Sequence, residues 1–76
     1  MGEPNSPQPG DRIVFGRADG RFDVLEITKS GTEKLVRGEE PTLDIARDIG
    51  HMSDGGRLWW RHHSKPDVTA PYKIGK

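Results

Sequence analysis

Gly38-Glu39-Glu40-Pro41-Thr42-Leu43-Asp44-Ile45-Ala46-Arg47-Asp48-Ile49-Gly50-His51-Met52 is the stretch in which the apolar period changes from two to 3.6, and that change decides the fold. Pro41 suits the entry of a helix, where its missing N–H costs nothing, and the acidic pair before Thr42 favours the positive helix end. At about 100° per residue, Ile45, Ile49, Met52, Thr42, Ala46 and Leu43 fill one half of the wheel. Asp44, Arg47, Asp48 and His51 gather on the other half. The spacing predicts a helix over 41–52, stopped by Ser53-Asp54-Gly55-Gly56.

On either side the period is two. Arg12-Ile13-Val14-Phe15-Gly16 has the β-branched and aromatic content of a strand, and Asp19-Gly20 suits a type I′ hairpin turn. Residues 21–28 form the returning strand, with Phe22 and Val24 on one face and Leu25 and Ile27 on the other. That break in parity fits either a bulge or burial on both faces. Ser30-Gly31-Thr32 is a second turn, and Lys34-Leu35-Val36-Arg37 a third strand. Beyond the helix, Arg57-Leu58-Trp59-Trp60-Arg61-His62-His63 is the last strand, ended by Pro66. The expected architecture is α+β: a small antiparallel sheet of three to four strands in β-β-β-α-β order, with one helix packed on one face. Its expected core is Ile13 or Val14, Phe15, Phe22, Val24, Leu35, Leu43, Ala46, Ile49, Leu58 and Trp60.

The large apolar residues concentrate between Ile13 and Trp60, which sets the expected domain at residues 12–63. Residues 1–11 hold Pro4, Pro7 and Pro9 with no large apolar residue after Met1, and read as a disordered arm. Residues 64–76 read as an extended tail, with a short docking strand as the alternative.

Together Gly20-Arg21-Phe22-Asp23-Val24, Thr42-Leu43, Ala46-Arg47-Asp48-Ile49-Gly50 and Gly56-Arg57-Leu58-Trp59-Trp60-Arg61-His62 resemble a small bacterial family, domain of unknown function 2188. Phe22 stands where that family usually has Trp, Gly50 where it has Ala, and Ser64-Lys65-Pro66-Asp67 where it has an Asp-Gly turn. The resemblance implies a β-meander, a helix and a closing strand, and it implies no activity, cofactor or partner.

Seventy-six residues hold one small domain, and 12 Lys+Arg against 12 Asp+Glu leave no basic field to capture nucleic acid or anionic lipid. The chain has no Cys, which excludes disulfides and thiolate metal sites. No apolar run is long enough for a spanning helix or a secretory signal, so the expected location is cytoplasmic, with no membrane contact. A domain with one short helix has little room for a dry pocket, and no enzymatic activity or cofactor is expected. His51, His62 and His63 are the available soft ligands, but His62 and His63 point to opposite faces of a strand, and no metal is expected.

The last strand is the functional candidate. If Leu58 and Trp60 face the helix, alternation puts Arg57, Trp59, Arg61 and His63 on the opposite face, with an exposed Trp between two Arg. The competing arrangement covers Trp59 with the arm or the tail. The expected function is a non-enzymatic protein-interaction module, an accessory or regulatory protein acting on a larger assembly, as a monomer or weak homodimer. One alternative is a nucleic-acid-binding sheet using Arg57, Arg61, Arg21, Lys65 and Arg37 as phosphate contacts. The other is a structural domain with no binding role.

Overall fold

The computed structural model describes residues 6–51 and 56–72. Strands β1 (Arg12–Gly16), β2 (Phe22–Ile27) and β3 (Glu33–Glu40) precede helix α1 (Leu43–His51), and β4 (Leu58–His62) and β5 (Lys65–Pro71) follow. Among the described residues the fold is α+β with one helix, but the sheet has five strands in the order β3-β2-β1-β4-β5 and is mixed. This corrects the expected three to four antiparallel strands in two ways. First, β1 and β4 pair in parallel. After three alternating strands the helix carries the chain back to its starting end, so β4 must run in the direction of β1. Second, residues 65–71 form β5 on β4, and Pro66 lies inside that edge strand instead of ending the sheet.

Both hairpins are built alike. In the first, Arg17 N–H donates to the Arg21 carbonyl and Gly20 N–H to the Arg17 carbonyl; in the second, Thr28 and Thr32, then Gly31 and Thr28, repeat the pattern. Gly20 and Gly31 carry the positive φ, at 85° and 89°, and Asp19 does not. The turn at Asp19-Gly20 is therefore a three-residue loop with one left-handed glycine, not the expected type I′ pair. Asp19 instead uses its carboxylate to accept the Arg21 N–H at 3.0 Å.

Thr42 caps α1: its hydroxyl oxygen accepts the Ile45 N–H at 3.3 Å. The expected end of the helix at Met52 and the stop at Ser53–Gly55 lie outside the described residues. At the other end of α1, Arg12 on β1 donates from Nη1 to the Ile49 carbonyl at 2.7 Å and so satisfies a terminal acceptor.

The sheet buries apolar residues on both faces. Under the helix lie Val14, Val24 and Ala46, flanked by Phe22, Val36, Leu43, Ile49, Leu58 and Trp60. On the far face Ile13, Ile27 and Trp59 form a second cluster with Leu25. Two-sided burial accounts for the parity break in β2, and the extra residues of the two irregular steps in the β2–β3 pairing fall in β3. Leu35, expected in the core, is 56% exposed because β3 is an edge strand and Leu35 faces away from the helix.

Gly50 fixes how closely α1 approaches β4: a Cβ there would run into the Leu58 Cδ1 methyl. In a double-mutant cycle by chemical denaturation, Gly50→Ala is expected to be about 1–3 kcal/mol more favourable beside Leu58→Ala than in the wild type. Helix propensity favours alanine once the methyl is gone. Additive effects would mean that Leu58 does not set the approach.

Candidate functional site

Trp59 and Trp60 do face opposite ways, with Trp60 on the helix side, but Trp59 is not exposed. It is 1% accessible, inside the far cluster. Two features close over it. The first is Asp11, which the sequence assigned to the arm and which is only 5% exposed. Its Oδ2 accepts the Trp59 indole N–H and the Gln8 N–H, each at 2.9 Å, and its Oδ1 accepts the Arg57 N–H at 2.9 Å. Residues 8–11 are thereby held against the sheet, and Gly10 N–H and the Asp11 carbonyl continue the ladder with Ile27.

The second feature is the coil of the sheet. Arg61 on β4 grips Glu33 on β3 through two parallel bonds of 3.0 and 2.8 Å, although β1 and β2 lie between them. Strands about 4.8 Å apart would separate β4 and β3 by about 14 Å in a flat sheet, so the far face must be concave to bring the pair together. Arg61 also donates from Nε to the Thr69 hydroxyl at 2.8 Å. Its hydrogen bonds hold the Glu33 carboxyl below the usual carboxylate range, against the opposing effect of burial.

The four residues expected to make one open binding face are thus spent separately. Arg57 anchors Asp11 through its backbone, Trp59 is core, and Arg61 is paired with Glu33. His63 leaves the strand at the turn after β4, and its Nδ1 lies 3.1 Å from the Gly16 carbonyl. The two histidine rings, expected on opposite faces, sit with centroids 4.2 Å apart because His63 is already in that turn. Among the described residues no three or more His, Cys, Asp or Glu side chains gather as metal ligands.

What β4 does present lies on its other face. Trp60 is half-buried and stands at the centre of an aromatic strip, 6.3 Å from Phe22, 6.1 Å from His62 and 6.1 Å from Tyr72 between ring centroids. Gly16 makes the strip possible. A Cβ at Gly16 would stand 3.0 Å from His62 and 3.1 Å from the Trp60 ring, so any larger residue would make these rings shift by a few tenths of an ångström. The contacts of α1 fall chiefly on β1, β2 and β3, which leaves the strip beside the helix rather than under it. Neither the Trp60 indole N–H nor the Tyr72 hydroxyl has a hydrogen-bond partner among the described residues, and neither atom is sealed from water. Tyr72 follows a strand read as tail, so no sequence period linked it to Trp60. Gly16, a bare position in an otherwise apolar strand, was the available signal.

Comparison of the chain with protein-family models, curated proteins and solved structures finds no match in any of the three. Among the described residues no helix is long and apolar enough to cross a membrane.

Burial pushes the Asp11 carboxyl up, but the N–H groups of Gln8, Arg57 and the Trp59 indole, with the Arg57 charge, outweigh it and hold the carboxyl below its ordinary 3.8. The stability Asp11 supplies is therefore complete above about pH 4 and is lost as pH falls through the lower folded-state value. Asp11→Asn is expected to cost about 1–3 kcal/mol at neutral pH and to flatten part of the acid limb of stability against pH. A wild-type acid limb in that variant would remove Asp11 from this role.

Proposed function

We propose that this protein is a non-enzymatic protein-interaction module, and that Phe22, Trp60, His62 and Tyr72 form its contact surface. The observation that carries the reading is a half-buried Trp within a continuous aromatic strip, with two hydrogen-bond donors left open to water. Aromatic side chains with an apolar body and a polar handle supply most of the energy of small interfaces. The surface moves from the Arg57-Trp59-Arg61 face of β4 to its opposite face, and Trp60 takes the place of Trp59 as anchor. Kinship with the domain of unknown function 2188 proteins belongs to the same proposal and adds no activity to it.

Equal numbers of Lys+Arg and Asp+Glu favour a protein partner over nucleic acid. Arg12, Arg17 and Arg61 are each paired with carboxylates, at Glu26, at Asp19 and Asp23, and at Glu33, whereas Arg21 and Lys65 form no ion pair among the described residues.

Selection from a random peptide library on the immobilised wild-type protein tests the reading. Peptides that bind the wild type and lose at least about tenfold in affinity for Trp60→Phe or Trp60→Ala are the expected result, about 1.4 kcal/mol or more. Selected peptides indifferent to Trp60, Phe22 and Tyr72 substitutions would move the surface elsewhere.

A further inference from the structure

We infer that the concave face of the sheet is a separate closure, shut by the Asp11 and Glu33 carboxylates, which acid opens as a unit while the helix side stays folded. The first observation is that the two apolar clusters share no residue. Val14, Val24 and Ala46 lie on one face, under α1, and Ile13, Ile27 and Trp59 lie on the other. Among the described residues no helix or second sheet is stacked on the Trp59 face, since all five strands belong to one sheet and α1 packs on its opposite side. A cluster so thinly covered depends on the polar ties across it.

The second observation is the reach of those ties. Asp11 binds residues 8–11 to β4 through the Trp59 indole and the Arg57 N–H. Glu33 binds β3 to β4 through both terminal nitrogens of Arg61, whose Nε extends the tie to Thr69 on β5. Through Phe15, Arg61 is level with Asp23 on β2, whereas Glu33 is level with Ile27. Those two positions are about 13 Å apart along β2, and three strand spacings of about 4.8 Å separate β4 from β3. In a flat sheet the two backbones would lie about 19 Å apart, so the pair joins diagonal corners and holds the coil.

The third observation is that both ties need a negative charge, while the fastenings of the helix do not. Arg12 holds α1 through the Ile49 carbonyl and Thr42 caps it through a hydroxyl, and neither acceptor titrates. Arg12 also meets Glu26, at the longer distance of 3.4 Å. The charged groups that act on the two closing carboxyls are Arg57 on Asp11 and Arg61 on Glu33. Burial raises the Asp11 carboxyl, but its N–H donors and Arg57 bring it below the ordinary 3.8; the Arg61 hydrogen bonds bring Glu33 below 4.5 against burial. Each folded-state value lies below the unfolded one, so both ties are complete above about pH 4.5 and are lost as pH falls through the folded values.

The test is an acid titration of the full chain followed by NMR, with side-chain methyl signals reporting each face and helical circular dichroism reporting α1. Protection of the Trp59 indole N–H, relative to free indole at the same pH, is expected to fall at least about tenfold from about pH 6 to about pH 3. The Ile13, Leu25 and Ile27 methyls should change with it, at higher pH than those of Val14, Val24 and Leu58 and with α1 retained. Glu33→Gln and Asp11→Asn should each flatten this pH dependence, and the double variant should show an open concave face with α1 intact at pH 7. A single transition shared by both faces in the wild type overturns the inference. So does a concave face that stays shut at about pH 2.5, where carboxyls are protonated, or loss of α1 in the double variant.

Discussion

One carboxylate taken almost wholly out of water ties this fold together. Asp11 receives the Trp59 indole and the Arg57 N–H at the start of β4, and the Gln8 N–H in the turn before β1, three donors from two separate parts of the chain. A buried carboxylate without such donors would cost several kcal/mol, so the three must be in place together. That requirement fixes where β4 begins relative to β1 and turns Trp59 into core.

The consequences run through β4. With Trp59 held inward by Asp11, alternation sends Trp60 to the helix face, where Gly16 leaves the space for its ring. Arg61, next in the strand, closes the concave side by reaching Glu33 across the sheet. The strand therefore has a structural face and a presenting face, and the sequence Trp-Trp is the point where they part. Centring the aromatic strip on an interior strand, paired with β1 on one side and β5 on the other, gives it a rigid support that a loop would lack.

Period and turn chemistry made much of the fold legible. The helix, the first three strands and the facing of Leu58 and Trp60 follow from local patterns, because each depends on residues close in sequence. The parallel pairing of β1 with β4 was not legible, since no local pattern records a strand's distant neighbour. Nor was β5: Pro66 and Pro71 argue against a strand everywhere except at an edge, and edge position is a property of the whole sheet. The candidate site was half legible. Alternation separated the two tryptophans correctly, but which one meets solvent depended on Asp11, a residue that looked like part of a polar arm. Sequence position alone could not show that its carboxylate faces three donors.

Hydrogen exchange of the two indole N–H groups tests the Asp11 hub directly, because the Trp59 indole N–H is bonded to its carboxylate and the Trp60 indole N–H has no partner among the described residues. The expected spectrum has one indole resonance strongly protected from exchange, assigned to Trp59 by its loss of protection in Asp11→Asn. The other exchanges rapidly with water and disappears in Trp60→Phe. Rapid exchange at Trp59 in the wild type, or equal protection at both, would mean that Asp11 does not hold Trp59 in the core.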